Sequence, residues 1–76
     1  MVDYIWILGK ILKALRQREG LSQAQLSIKA TVDRSKISRI ELGYSTPRLG
    51  ELLALCSALN RPAWKVIKLM EHESGR

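Results

Sequence analysis

The chain contains a single cysteine, Cys56, and a single histidine, His72. One cysteine cannot build an internal disulfide framework, and no Cys/His cluster has the spacing of a zinc site. Neither a metal nor a cofactor is expected, and a reducing, cytoplasmic setting fits best. Long apolar runs are missing as well. Nothing approaches the roughly 20 residues of a membrane span, so no membrane partner is expected. The short run Ile5-Trp6-Ile7-Leu8 follows Asp3 rather than a basic segment, and Lys10 and Lys13 interrupt what comes after it. That is not the pattern of a signal peptide. The chain also lacks a glycine-rich phosphate loop, a metal-ligand spacing and a nucleophile paired with a base, so it does not read as an enzyme.

Acidic residues are scarce: seven Asp and Glu stand against thirteen Lys and Arg, for a net charge of +6. A polyanionic partner accounts for that excess, but so does a solubilising surface, and charge alone does not choose between them. Seventy-six residues make one domain at most. A chain this short buries only about 60% of its unfolded surface, so a core shared in a dimer would help it.

Strand signals are nearly absent, and punctuation divides the chain into five helical pieces. The first runs from about Asp3 to Glu19, with Leu8, Ile11, Leu12 and Leu15 at helical spacing and Gly20 as its stop. Ser22 reads as an N-cap, completed into a capping box by Gln25, so the second helix spans about Gln23 to Ala30. Thr31-Val32 makes a turn, and Asp33 reads as the N-cap of a third helix from about Arg34 to Glu41. Residues 44–47 form a loop by composition. The fourth helix, about Arg48 to Leu59, carries an apolar stripe of Leu49, Leu52, Leu53, Cys56 and Leu59. Asn60-Arg61-Pro62 stops it and starts a fifth, about Ala63 to Glu71, with Val66, Ile67 and Met70 inward. His72 to Arg76 is expected to fray. The expected fold is all-α, a compact bundle of five helices.

Two short helices joined by a turn of three or four residues are the physical unit of helix-turn-helix recognition. The segment from about 22 to 41 has those lengths. Leu26, Ala30, Val32, Ile37 and Ile40 occupy the positions that two steeply crossing helices must bury. Arg34, Ser35, Ser38 and Arg39 are left outside the third helix, and pairs four apart place them on one polar face. No acidic side chain lies on that face beyond its cap. A helix of this width fits the DNA major groove, where Arg bonds guanine bidentately and Ser bonds several bases. Taken alone, this face is a solvated basic helix; the surrounding pattern turns the reading to DNA.

The motifs LRQREGLSQAQL and DRSKISRIELG, with Pro47 four residues after Gly43, resemble the XRE family, the Cro and phage-repressor type of helix-turn-helix. The resemblance covers about Leu8 to Leu59, and it implies a lambda-repressor-like DNA-binding domain. By that resemblance, Arg34, Ser35, Ser38 and Arg39 are base-reading positions, and Gln23 contacts a phosphate while bracing the recognition helix. Lys36, Tyr44, Ser45 and Arg48 are further expected phosphate contacts, which position the domain without reading sequence. Arg16 and Glu41 match a structural ion pair between the first helix and the end of the third. Ser27 stands where the pattern prefers Ala, and Thr31 where it prefers Gly. Serine is small enough to fit, whereas a β-branched residue resists positive φ, so the turn is expected to be reshaped or slightly strained.

Leu55, Trp64 and Leu69 lie off the main apolar stripes of the last two helices. They read either as core or as a self-association patch, the second because short members of the family usually dimerise through their C-terminal helices. Tyr4 and Trp6 belong to that interface or cover the first helix. The expected function is a homodimeric transcriptional regulator on a near-palindromic double-stranded DNA operator, with small restriction–modification controller proteins closest in size. The alternative is an antitoxin that binds a toxin and represses its own operon.

Overall fold

Helix boundaries in this chain follow local signals closely. The computed structural model describes residues 3–74, and among these it forms five helices and no strand. The α1 helix spans Tyr4–Arg18, and Asp3 caps it by accepting the Trp6 amide on Oδ1 at 3.0 Å. At the start of α2, Gln23–Ala30, both halves of the capping box are made. Ser22 Oγ accepts the Gln25 amide at 3.0 Å, and Gln25 Oε1 accepts the Ser22 amide at 2.8 Å. The α3 helix is Arg34–Glu41, as its pattern predicts. Asp33 stands at its N-cap but its side chain makes no capping bond. Its backbone carbonyl alone opens the helix, accepting the Ile37 amide at 3.0 Å.

The turn between α2 and α3 carries the expected strain. Thr31 sits at φ 56, ψ 46, left-handed backbone that costs a β-branched residue about 1–2 kcal/mol. Ser27 offsets part of that cost. Its hydroxyl donates to the Val32 carbonyl at 2.6 Å, while the Val32 amide donates to the Ser27 carbonyl at 3.2 Å. The two departures from the family pattern therefore meet in one small hydrogen-bonded turn.

The α4 helix spans Leu49–Ala58 and α5 spans Ala63–Ser74. At the start of α4 the Arg48 amide donates to Glu51 Oε1 at 2.8 Å. Between the two helices Asn60 takes φ 57, and Pro62 precedes α5. The α5 helix runs three residues past the expected Glu71, so His72 to Ser74 are helical where fraying is expected; residues 75–76 lie outside the described ones.

The α1 helix packs on α3 and α5, α2 on α3 and α4, and α4 on α5. Between them lies one core, with Leu26, Ile37, Ile40, Leu55, Cys56, Leu59 and Val66 among its most buried members. Burial pushes the Cys56 thiol above its ordinary pKa, so it stays protonated and behaves as a hydrophobe. Two expectations for α4 and α5 need correction. Leu55, read as off-stripe and a candidate for a dimer surface, is only 2% exposed and belongs to the core. Leu49 and Leu53, read as inward, are 71% and 50% exposed. With α2 and α5 both against α4, its inward face centres on Leu52, Leu55, Cys56 and Leu59, and Leu49 and Leu53 turn out. On α5, Val66 is buried but Ile67 is largely exposed.

Candidate nucleic-acid interface

The four side chains expected from the family resemblance to read bases are presented together by α3. Arg34, Ser35 and Arg39 are exposed, and Ser38 is half-buried beside them. The face is continued by Leu42, four residues after Ser38 and exposed, which the sequence reading left unassigned. The i, i+4 spacing from Ser38 was its signal, and its apolar character hid it among core residues. The acidic end of α3, Glu41, points away from this face: its side chain is 3% exposed.

Glu41 is where the face is anchored. Arg16 meets it bidentately, Nε to Oε2 at 2.7 Å and Nη2 to Oε1 at 3.0 Å. The same guanidinium donates through Nη1 to the Leu21 carbonyl at 2.8 Å. Gln23 adds a fourth bond, donating from Nε2 to Glu41 Oε1 at 3.0 Å. One buried cluster thus ties α1, the loop before α2, the first residue of α2 and the last of α3. Paired charges with satisfied donors hold the crossing angle of α2 and α3, because any rotation leaves a buried charge exposed to an apolar core. Gln23 therefore braces α3 by direct contact.

A second brace comes from glycine, which sequence reasoning missed. A Cβ on Gly9 would overlap the Ile40 carbonyl oxygen, so only glycine lets α1 approach the end of α3 this closely. Nothing local in the sequence announces that need, since the partner backbone is thirty-one residues away. Gly43, at φ 80, turns the chain out of α3 and lies against Trp6, whose ring carries Lys10 Nζ 4.4 Å from its centroid. Trp6 thus covers the exit of α3.

The expected phosphate-contacting residues fall into two groups. Tyr44 and Arg48 are exposed and Ser45 is half-buried, all in the segment that follows α3. Lys36 is placed differently. Its Nζ lies 3.8 Å from Glu51 Oε1, tying α3 to the start of α4 on the flank away from Arg34 and Ser38. Trp64 and Leu69 are exposed but line a groove between α5 and α1. Among the described residues no group of three or more His, Cys, Asp or Glu is placed to hold a metal ion, and no helix is long and apolar enough to cross a membrane.

With this geometry in place, the family described as helix-turn-helix domain matches residues 7–63. The chain belongs to the helix-turn-helix domain family. The matched stretch begins within α1, contains α2 to α4 and stops as α5 begins. Among solved structures, this helix-turn-helix protein is similar to the restriction–modification controller protein C.AhdI from Aeromonas hydrophila. That chain is 31% identical, with a TM-score of 0.79 over 82% of this chain and 94% of the other. The restriction–modification controller protein C.Esp1396I has a TM-score of 0.86 at 20% identity, covering 100% of both chains. A Tyr-to-Phe variant of it gives the same score and identity over 96% of this chain and 92% of that one. At 20% identity the likeness is one of fold. No curated protein matches the chain. The XRE resemblance read from the sequence stands, and the all-α helix-turn-helix fold is that of DNA-binding transcription regulators.

Proposed function

We propose that this helix-turn-helix protein is a homodimeric transcription regulator that sets α3 into the major groove of a near-palindromic DNA operator. The observation that carries the reading is the α3 face itself: two arginines and two serines, with no acidic side chain beyond the Asp33 cap, on a helix fixed by the buried Arg16–Glu41 cluster. Rigidity of this kind is what base discrimination needs, since a bidentate contact contributes about 1–3 kcal/mol only when its geometry is held. Arg34 and Arg39 are assigned guanine contacts, Ser35 and Ser38 contacts to neighbouring bases, and Leu42 a thymine methyl contact. The first-turn amides of α2 at Gln23 and Ala24 take a backbone phosphate, with Tyr44, Ser45 and Arg48 on the adjoining strand. Lys36, drawn toward Glu51, adds only long-range attraction.

The dimer is assigned to α4 and α5. Leu49 and Leu53 are four apart on one exposed face of α4, and Ile67 is exposed on α5, leaving apolar surface for a second copy. Two-fold symmetry would then place the recognition helices about 34 Å apart, one DNA turn between half-site centres. The likeness to C.AhdI at 31% identity supports a controller's role, with the genes of a restriction–modification system as the regulated set. The test is selection from a random-sequence duplex library at near-physiological salt. Enrichment of a near-palindrome with half-sites one turn apart is expected; retention without an enriched motif would overturn operator reading.

A further inference from the structure

We propose that the groove between α1 and α5 binds an acidic amphipathic segment of a partner protein, laid in as a helix. Two adjoining cavities of about 410 and 310 Å³ form the groove, sharing Leu15, Arg18 and Leu69. Its floor is apolar, with Leu15, Leu69 and the exposed Trp64 ring, and Ile11 extends it along α1. Its rim is basic, made by Arg18, Lys65 and Lys68. Lys65 Nζ stands 5.7 Å from the centroid of the Trp64 ring, which places a cation at the edge of the apolar floor. No acidic residue lines either cavity. Glu19, close by, is already engaged by Asn60 Nδ2 at 3.2 Å and by Arg61 at 3.8 Å.

Length and charge together select the occupant. From Ile11 to Arg18 the groove runs along about 10 Å of α1, and from Trp64 to His72 along about 12 Å of α5, at 1.5 Å per residue. That matches the two to three turns over which an amphipathic helix presents anchors at i, i+3/i+4 and i+7. An apolar floor asks for such anchors, and a rim of one sign asks for the opposite charge. DNA does not fit, because a phosphate backbone offers nothing to Trp64 and Leu69. A second copy of this chain suits it less well, because a two-fold contact through this patch brings the same basic rim, Arg18, Lys65 and Lys68, to both sides. The groove also stands apart from the reading face, since α5 packs chiefly on α1 and α4. Most of its α5 side, from Trp64 onward, lies beyond the stretch shared with the helix-turn-helix family. This site is thus one that DNA binding does not use.

The test is an NMR titration of the ¹⁵N-labelled full chain with a synthetic three-turn peptide carrying Leu at every third or fourth position and Glu elsewhere. A peptide of the same composition in scrambled order is the control. The expected result is shifts at the Trp64 indole and the Leu15 and Leu69 amides, lost with the scrambled peptide. Affinity should fall roughly tenfold or more in Lys65→Glu/Lys68→Glu, where a rim of reversed sign repels the ligand. Leu69→Ser, a mild change at an exposed position, should weaken the peptide while leaving DNA affinity as in the wild type. Shifts confined to α2 and α3 would overturn the proposal, as the peptide would then be a polyanion on the DNA face. Equal binding of the scrambled peptide, or no shift in the groove, would also overturn it. So would conversion of a dimer to a monomer by Leu69→Ser, which would assign the groove to a second copy.

Discussion

Glu41 receives three hydrogen bonds on two oxygens, from Arg16 Nε, Arg16 Nη2 and Gln23 Nε2, in a place almost closed to water. Removing one partner of such a pair strands the other's charge. Arg16→Met should therefore destabilise the protein by about 3–5 kcal/mol in urea unfolding, whereas Arg16→Met/Glu41→Leu should recover most of that loss. Failure of the double variant to recover would mean that the cluster's geometry, and not its charge, supplies the stability. Thr31 gives the opposite sign. Its left-handed backbone suits glycine, so Thr31→Gly should raise stability by about 1 kcal/mol, measured by thermal unfolding. Both sites were legible through the family resemblance, which pairs an Arg and a Glu twenty-five residues apart and prefers glycine in the turn. Gly9 was not legible, because its reason is a distant carbonyl. The capping role given to Asp33 was likewise set by propensity, and its side chain makes no such bond.

At the scale of elements, α2 and α3 were read from the sequence with the bounds the structure gives them. Each begins beside a polar cap residue and ends before a turn, and short helices of this kind are defined by such signals. The phase of α4 was not readable in the same way. Leu49, Leu52, Leu53, Leu55, Cys56 and Leu59 supply apolar side chains on most of its circumference, so periodicity alone could not say which side α2 and α5 would cover. The two faces now make separable predictions. Leu55→Ala opens a cavity in the core and should lower stability by about 2–5 kcal/mol. Leu53→Asp should leave the fold intact and shift sedimentation from dimer to monomer, because its side chain is half exposed in the single chain. A Leu53→Asp protein that stayed dimeric would remove α4 from the interface.

For the molecule as a whole, the +6 charge takes on meaning only once the helices are placed. Arg34 and Arg39 stand on the exposed face of α3, Arg48 at the start of α4, and Arg18, Lys65 and Lys68 around the α1/α5 groove. Positive charge is thus divided among the α3 face proposed to read bases, the segment after it proposed to meet phosphates, and the rim of the α1/α5 groove. Arg48→Ala should weaken specific and non-specific DNA alike and reduce the slope of log affinity against log salt by about one, as loss of a single phosphate contact requires. The most direct test of base reading by α3 is a titration of the Arg34→Ala/Arg39→Ala variant against the selected operator and a scrambled duplex. Affinity for the operator should fall by about 1–3 kcal/mol per arginine while the scrambled duplex loses far less. If the two duplexes weakened together, or neither weakened, α3 would not be the element that reads the sequence.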